Sequence, residues 1–137
     1  MTIPFRIRQI KTQQFAIFPD KLEGKDVMIG AEFEFGINKD VSDIRCITKI
    51  SYTQNENLIL TAEVQCFFET SKEAIQEIDE QGKIEVGFLR YLATISTGTV
   101  RGIIHAKTEG TILNPIILPP LNLVDIIKED LVFKTKC

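Results

Sequence analysis

Apolar residues recur at every second position through roughly the first half of the chain, the period of strands with one face turned to a core. Ile3, Phe5, Ile7 and Gln9 fall on one side of an extended chain, with Pro4, Arg6 and Arg8 on the other. Phe15 and Ile17 continue this strand to a turn at Pro19-Asp20, and its length implies a bend. Val27 to Ile37 predicts a second strand, with Ala31, Phe33, Phe35 and Ile37 on one face and Glu32 and Glu34 on the other. Beyond Asn38-Lys-Asp, a third strand sets Ile44, Cys46, Thr48, Ile50 and Tyr52 against Arg45, Ile47, Lys49 and Ser51. The turn Thr53–Asn57 leads to a fourth, with Leu58, Leu60, Ala62, Val64, Cys66 and Phe68 opposite Ile59, Thr61, Glu63, Gln65 and Phe67. Ile59 and Phe67 make the second face partly apolar. Either another subunit or a ligand covers that face, or these are scattered exposed hydrophobes.

The period then becomes helical. Thr70 with Glu73 three positions on reads as a capping box, and Ala74, Ile75 and Ile78 form the apolar stripe of a short helix ending at Gln81 before Gly82. A longer helix ends at Lys107 and starts between Val86 and Thr97, where Gly87 and the run Thr94–Thr99 weaken the pattern. Within it Thr94, Gly98, Gly102 and Ala106 recur every fourth residue and line one face with little bulk. An interior glycine costs about 1 kcal/mol relative to alanine. Two of them predict a close approach, by the chain's own sheet or by the same helix of a second copy.

Gly110 is placed to end that helix, and Pro115, Pro119 and Pro120 forbid helix beyond it, so Ile112 to Leu121 is expected to run extended. This connector is apolar almost throughout and has to lie across other structure, with partners found for its backbone groups. Asn122 then caps a last helix, with Asp125 at its third position.

Composition narrows the function classes. The 137 residues suit one domain spanning 1–137, and no apolar run is long enough to span a bilayer, so membrane insertion is not expected. A net charge of -3 and an isoelectric point near 5.2 give no positive field to gather phosphates, which argues against nucleic acid. Cys46, Cys66 and Cys137 are odd in number and widely spaced, unlike a disulfide framework or a zinc site. Together with an N-terminus that alternates apolar and basic residues, they place the chain in the cytoplasm. His105 is the single histidine and reads as a solvated helix residue. No nucleophile elbow, phosphate loop or calcium loop is present, and Glu32 and Glu34 read as a solvated or interface face. The expectation is a protein that is not an enzyme and uses no cofactor or metal.

Several stretches resemble the SecB-type cytosolic export chaperones. Phe5-Arg-Ile-Arg-Gln-Ile-Lys-Thr12 is similar to that family's opening strand, and Ala62-Glu-Val-Gln65 to its fourth. Gly110-Thr111, Leu118-Pro-Pro-Leu-Asn-Leu123 and Ile126-Ile127 resemble its connector and last helix. The resemblance implies an α+β fold, a four-stranded antiparallel sheet with two main helices packed on one face. It further implies assembly as a dimer of dimers that holds unfolded polypeptide in a long groove without nucleotide.

Carried over by position, Ala62, Val64 and Cys66, with Leu60 on the same strand face, fall on the substrate side, and Thr61 and Glu63 on the side that influences assembly. Leu118 and Leu121 form a connector wall. The bottom-up reading adds Phe33 and Phe35 beside the groove, and Gly98, Gly102 and Ala106 as an interface between copies. The chain departs from the family in Tyr91-Leu-Ala and Ser96-Thr-Gly-Thr-Val-Arg101 at the long helix, and in ending Val132-Phe-Lys-Thr-Lys-Cys137 where the family has an acidic tail used at the translocation motor. Three functions stay open: a holdase for export, a chaperone dedicated to one client, and an α+β domain that encloses a small apolar ligand or serves as an assembly surface.

Overall fold

The structure is a computed structural model that describes residues 4–133, so the readings at Ile3 and Cys137 lie outside the described residues. In chain order it contains β1 (Phe5–Ile17), a 3-10 turn (Pro19–Lys21), β2 (Met28–Asn38), β3 (Asp43–Gln54), β4 (Asn57–Thr70), α1 (Lys72–Gln81), β5 (Lys83–Ile84), α2 (Val86–Lys107), α3 (Leu123–Ile126) and β6 (Leu131–Val132). The first four strands form an antiparallel sheet in the order β1-β4-β3-β2, and the two main helices pack on one of its faces. This is the expected α+β architecture.

The centre of the sheet follows the alternation closely. Ile44, Cys46, Thr48, Ile50 and Tyr52 of β3 pair with Phe68, Cys66, Val64, Ala62 and Leu60 of β4. All ten side chains are buried beneath the helices. Residues directly opposite across antiparallel strands share a face, so one continuous apolar layer results. The β3–β4 hairpin closes through Asn55 and Glu56, both at positive φ, the backbone that makes a two-residue turn match the strand twist.

The first strand departs from a single alternation. Register shifts fall between Ile7 and Gln9 and between Thr12 and Gln14, leaving Arg8 and Gln13 as bulge residues. Gln9, expected on the face of Ile7, sits opposite Phe67 on the other face, and Ile10 takes its place opposite Cys66. The bulged Arg8 makes a two-armed ion pair with the carboxylate of Asp43, which is only 4% exposed. Arg8 therefore pins the edge strand to β3 across β4.

Of the two apolar residues read onto the second face, one joins the core and the other is sheltered by neighbouring side chains. Ile59 is the extra residue of a bulge opposite Tyr52 and Thr53, is fully buried, and accepts the Phe18 N–H at 2.8 Å. The segment that follows the 3-10 turn is held by Gln54, whose amide bonds Glu23 O at 2.6 Å and Asp26 O at 2.8 Å. Phe67 is half-buried under Arg8 and Lys11, whose cationic groups lie 5.7 and 5.6 Å from its ring centroid. Phe67 thus stays on the second face under long cationic side chains, and Thr61, Glu63 and Gln65 beside it are half-buried.

The helix ends correct the sequence reading locally. Thr70 closes β4 and donates to Ser42 O, while Ser71 is the cap of α1, accepting Ala74 N–H at 3.1 Å. Gly82, at φ 70°, ends α1 as expected. The long helix begins at Val86, the earliest of the expected starts, because Asp130 Oδ1 caps Val86 N–H at 2.7 Å from the far end of the chain. The pairing of Lys83-Ile84 with Leu131-Val132 brings Asp130 there.

Candidate functional site

The connector is where extended chain has to find partners outside a sheet. Residues 108–115 fold into successive turns, so the extended run expected over Ile112–Leu121 is confined to its second half. Gly110, at φ 81°, lies in the turn closed by Thr111 N–H to Thr108 O. The turn is tightened by Asn114 Nδ2 donating to His105 O at 2.9 Å, and buried Leu113 anchors it in the core. From Ile116 the chain runs back along α2. Two arginines of that helix bind its carbonyls: Arg101 Nε donates to Leu118 O at 2.6 Å and Nη2 to Pro119 O at 3.2 Å, and Arg90 Nε donates to Ile127 O at 2.9 Å. Charge-assisted bonds to carbonyls compensate the pairing that a proline-rich strand cannot make. Contrary to the expectation, the Asn122 side chain makes no capping bond to α3; its amide donates instead to Asp125 Oδ2 at 2.8 Å.

Between α2 and this strap lies a cleft of about 560 Å³ lined by Thr94, Thr97, Arg101, Ile117, Leu118, Pro119, Pro120, Leu121 and Leu123. Its size is that of ordinary ligand clefts, about 300–1,000 Å³. Leu118 is buried, Leu121 half-buried, and Ile117 58% exposed, so the wall is apolar from floor to rim. The Tyr52 hydroxyl is buried and finds no hydrogen-bond partner among the described residues; burial pushes its pKa up to about 12, against the opposing pull of Arg101.

The structure brings Leu118 and Leu121 into this cleft and places the other candidate residues elsewhere. Leu60, Ala62, Val64 and Cys66 are fully buried beneath α2. They are core of the protomer, and a guest chain reaches them only if α2 lifts. The alternation of β4 correctly separated one face from the other, but this is the face that its own helix occupies. Phe33 and Phe35 pair with Thr48 and Cys46, half-buried against the same core and outside the cleft. Thr61 and Glu63 are half-buried on the opposite face, where Lys49 stands 3.0 Å from Glu34 and 4.0 Å from Glu63.

Gly98, Gly102 and Ala106 are exposed along α2, and a Cβ built at either glycine would meet nothing within 4 Å. The close approach these small residues suggested is therefore not made to the chain's own sheet.

Sequence reasoning missed Arg90 and Arg101 as the residues that hold the strap. The available signal was the demand itself: prolines that break a helix leave carbonyls that need donors, and arginines stand on the helix alongside. His105 is exposed, as read. Among the described residues, no group of three or more His, Cys, Asp or Glu is placed to hold a metal ion, and no helix is long and apolar enough to cross a membrane. A comparison with protein-family models finds no match to this chain, and comparisons with curated proteins and with solved structures find none either.

Proposed function

We propose that this chain is a nucleotide-independent holdase, a SecB-like chaperone that takes extended apolar segments of non-native polypeptides along the strap cleft. The observation that carries the reading is the cleft itself, an apolar trough whose rim, Ile117, Pro119 and Pro120, stands open to solvent. Fully burying one large aliphatic side chain contributes about 1.5–3 kcal/mol. A trough that meets a few such side chains without polar readout binds many sequences weakly, which suits a holdase. The resemblance of the first strand, fourth strand and connector to the export chaperones supports the same reading.

Assembly belongs to the proposal. The free stripe Gly98, Gly102 and Ala106 on α2 fits a second copy, as does the assembly role that the resemblance gives Thr61 and Glu63. Four subunits, as a dimer of dimers, would set several clefts within reach of one client.

The deciding experiment measures aggregation of a chemically denatured model protein with and without this chain, in the absence of ATP, alongside native mass spectrometry. The expected result is suppression by a multimer near four subunits, lost when Leu121→Asp places a charge in the cleft. A strict monomer that suppresses nothing would overturn the reading. A monomer carrying a co-purified small molecule would replace it with the ligand-enclosing alternative. Repeating the assay with several unrelated clients separates a general holdase, of the kind that hands clients to a translocation motor, from a chaperone dedicated to one partner.

A further inference from the structure

The two described cysteines stand opposite each other. Cys46 of β3 pairs with Cys66 of β4 in an unbroken register that runs from Asp43↔Glu69 to Tyr52↔Leu60. The bond from Thr70 N–H to Ser42 O, 2.8 Å, marks the pair just outside this run as a hydrogen-bonded one. Counting by twos from there, Cys46/Cys66 is of the same kind, for which Cα atoms lie about 5.5 Å apart. Disulfides span Cα separations of about 4.4–6.8 Å. Both side chains point to the helix side of the sheet and are fully buried as free thiols.

What lies over them is small. The Ser96 hydroxyl of α2 sits beside both thiols and makes no well-formed hydrogen bond among the described residues, Thr99 lies beside Cys66, and Thr48 Oγ1 is 3.9 Å from Cys46 Sγ. Hydroxyl side chains leave the sulfurs more room to turn toward each other than leucines in the same places would. Burial pushes the Cys46 thiol up to about 11 and raises Cys66 as well, with Ser96 opposing in both cases. In the closed molecule both cysteines therefore stay protonated and unreactive.

We propose that Cys46 and Cys66 are a thiol-oxidation site, a dithiol under α2 that closes into an intramolecular disulfide when the helix lifts and an oxidant of the disulfide class reaches it. The thiolate of one cysteine attacks a sulfur of the oxidant, forming a mixed disulfide and expelling one thiolate. The second cysteine's thiolate then attacks the first Sγ, forming the Cys46–Cys66 bond and expelling the other half of the oxidant as thiolate. The protein loses two electrons and two protons, and one disulfide oxidant is reduced to two thiols. The register already places the two Cα atoms within bridging range, and closure requires the Cβ atoms, farther apart in a hydrogen-bonded pair than a disulfide holds them, to draw together as the sheet flexes.

The test uses the full chain carrying Cys137→Ser, which removes the third thiol, incubated with oxidised glutathione and then acid-quenched. The expected product is a single chain two hydrogens lighter, reversed by dithiothreitol, whose digest contains the peptide joining Cys46 to Cys66. Its rate should rise with the fraction of molecules opened, both in Leu92→Ala and, in case that variant folds poorly, in sub-denaturing urea. In Cys46→Ser/Cys137→Ser the same treatment should stop at a glutathione adduct on Cys66. Glutathione adducts that persist on both cysteines without ring closure would overturn the proposal. So would two thiols that remain reduced in every folded sample, urea-treated samples and Leu92→Ala included.

Discussion

The centre of the sheet and its first edge strand carry similar alternating sequences yet live in different surroundings. In β3 and β4 every residue on the helix face from Ile44 to Tyr52 and from Leu60 to Phe68 is buried. In β1, Ile7 and Ile10 face the same way and remain 41% and 46% exposed, although they pair with Phe68 and Cys66. The difference is the roof. The long helix crosses β3 and β4 and presents Leu89, Leu92, Ala93, Ser96 and Val100 to them, whereas β1 is covered chiefly at its ends. At one end the Phe5 ring meets Phe68, Phe88 and Tyr91 edge-on, at centroid separations of 5.5, 5.8 and 5.5 Å; at the other the Lys107 ammonium lies 5.5 Å over Phe15. Alternation tells which way a side chain points, and only the partner layer decides whether anything waits there.

The sharpest way to break this contrast is to truncate one residue from each region. Leu92→Ala removes a fully buried side chain from the helix–sheet contact and should cost about 2–5 kcal/mol of unfolding free energy. Ile10→Ala, nearly half-exposed on β1, should cost well under that, about 1 kcal/mol or less. Urea denaturation of the two variants measures both; equal losses would mean that β1 is roofed after all.

The edge strand's own anchor gives the next effect. Arg8→Ala leaves the Asp43 carboxylate buried without its partner, at a cost of about 1–3 kcal/mol. Arg6→Ala removes only the ion pair to Glu69, with Arg6 76% exposed, and should stay within about 0.5 kcal/mol. Two arginines two residues apart on one strand thus separate an anchor from a surface pair, read as the shift in urea midpoint.

The long-range pattern was legible in the sequence because it rests on period: four strands, a helix stopped by Gly82, and a long helix ending at Lys107. What was not legible depends on contacts distant in the chain. The first bulge of β1 sets Arg8 within reach of Asp43, and nothing local in Phe5–Thr12 announces that. The start of α2 is fixed by Asp130, forty-four positions later. The candidate site was half legible for the same reason. Leu118 and Leu121 sit among prolines, so their wall could be read, whereas Leu60, Ala62, Val64 and Cys66 have identical patterning whether a helix or a guest chain covers them.

Titration sharpens the contrast from the buried side. Burial raises the pKa of Cys46 from 9.0 to about 11 and of Tyr52 from 10.0 to about 12, so in the folded chain both stay neutral to higher pH than in the unfolded one. The unfolded chain releases these protons first, so the stability they carry is complete below pH 9 and is lost as pH rises through 11 to 12. Tyr52→Phe removes a buried hydroxyl that has no partner among the described residues and should stabilise the protein by about 1 kcal/mol at neutral pH. It should also flatten part of the alkaline loss, as measured by thermal melts between neutral pH and the alkaline limit. A variant that destabilises at neutral pH would show that the hydroxyl does have a partner.

The smallest effect tests the hairpin that joins the two buried strands. Asn55 and Glu56 both hold positive φ, 51° and 68°, and asparagine tolerates that backbone far better than glutamate does. Glu56 is exposed, and among the described residues its side chain makes no hydrogen bond or ion pair that would compensate the strain. Glu56→Gly produces Asn-Gly, the pair that favours this turn most strongly, and should raise stability by up to about 1 kcal/mol, less the extra freedom glycine gives the unfolded chain. Because the hairpin lies at the tip of β3 and β4, the gain should appear as slower opening of amides next to the turn, with β1 amides unchanged. Protection rising equally along β1 would mean that the edge strand opens together with the centre, and the two regions would then be one cooperative unit.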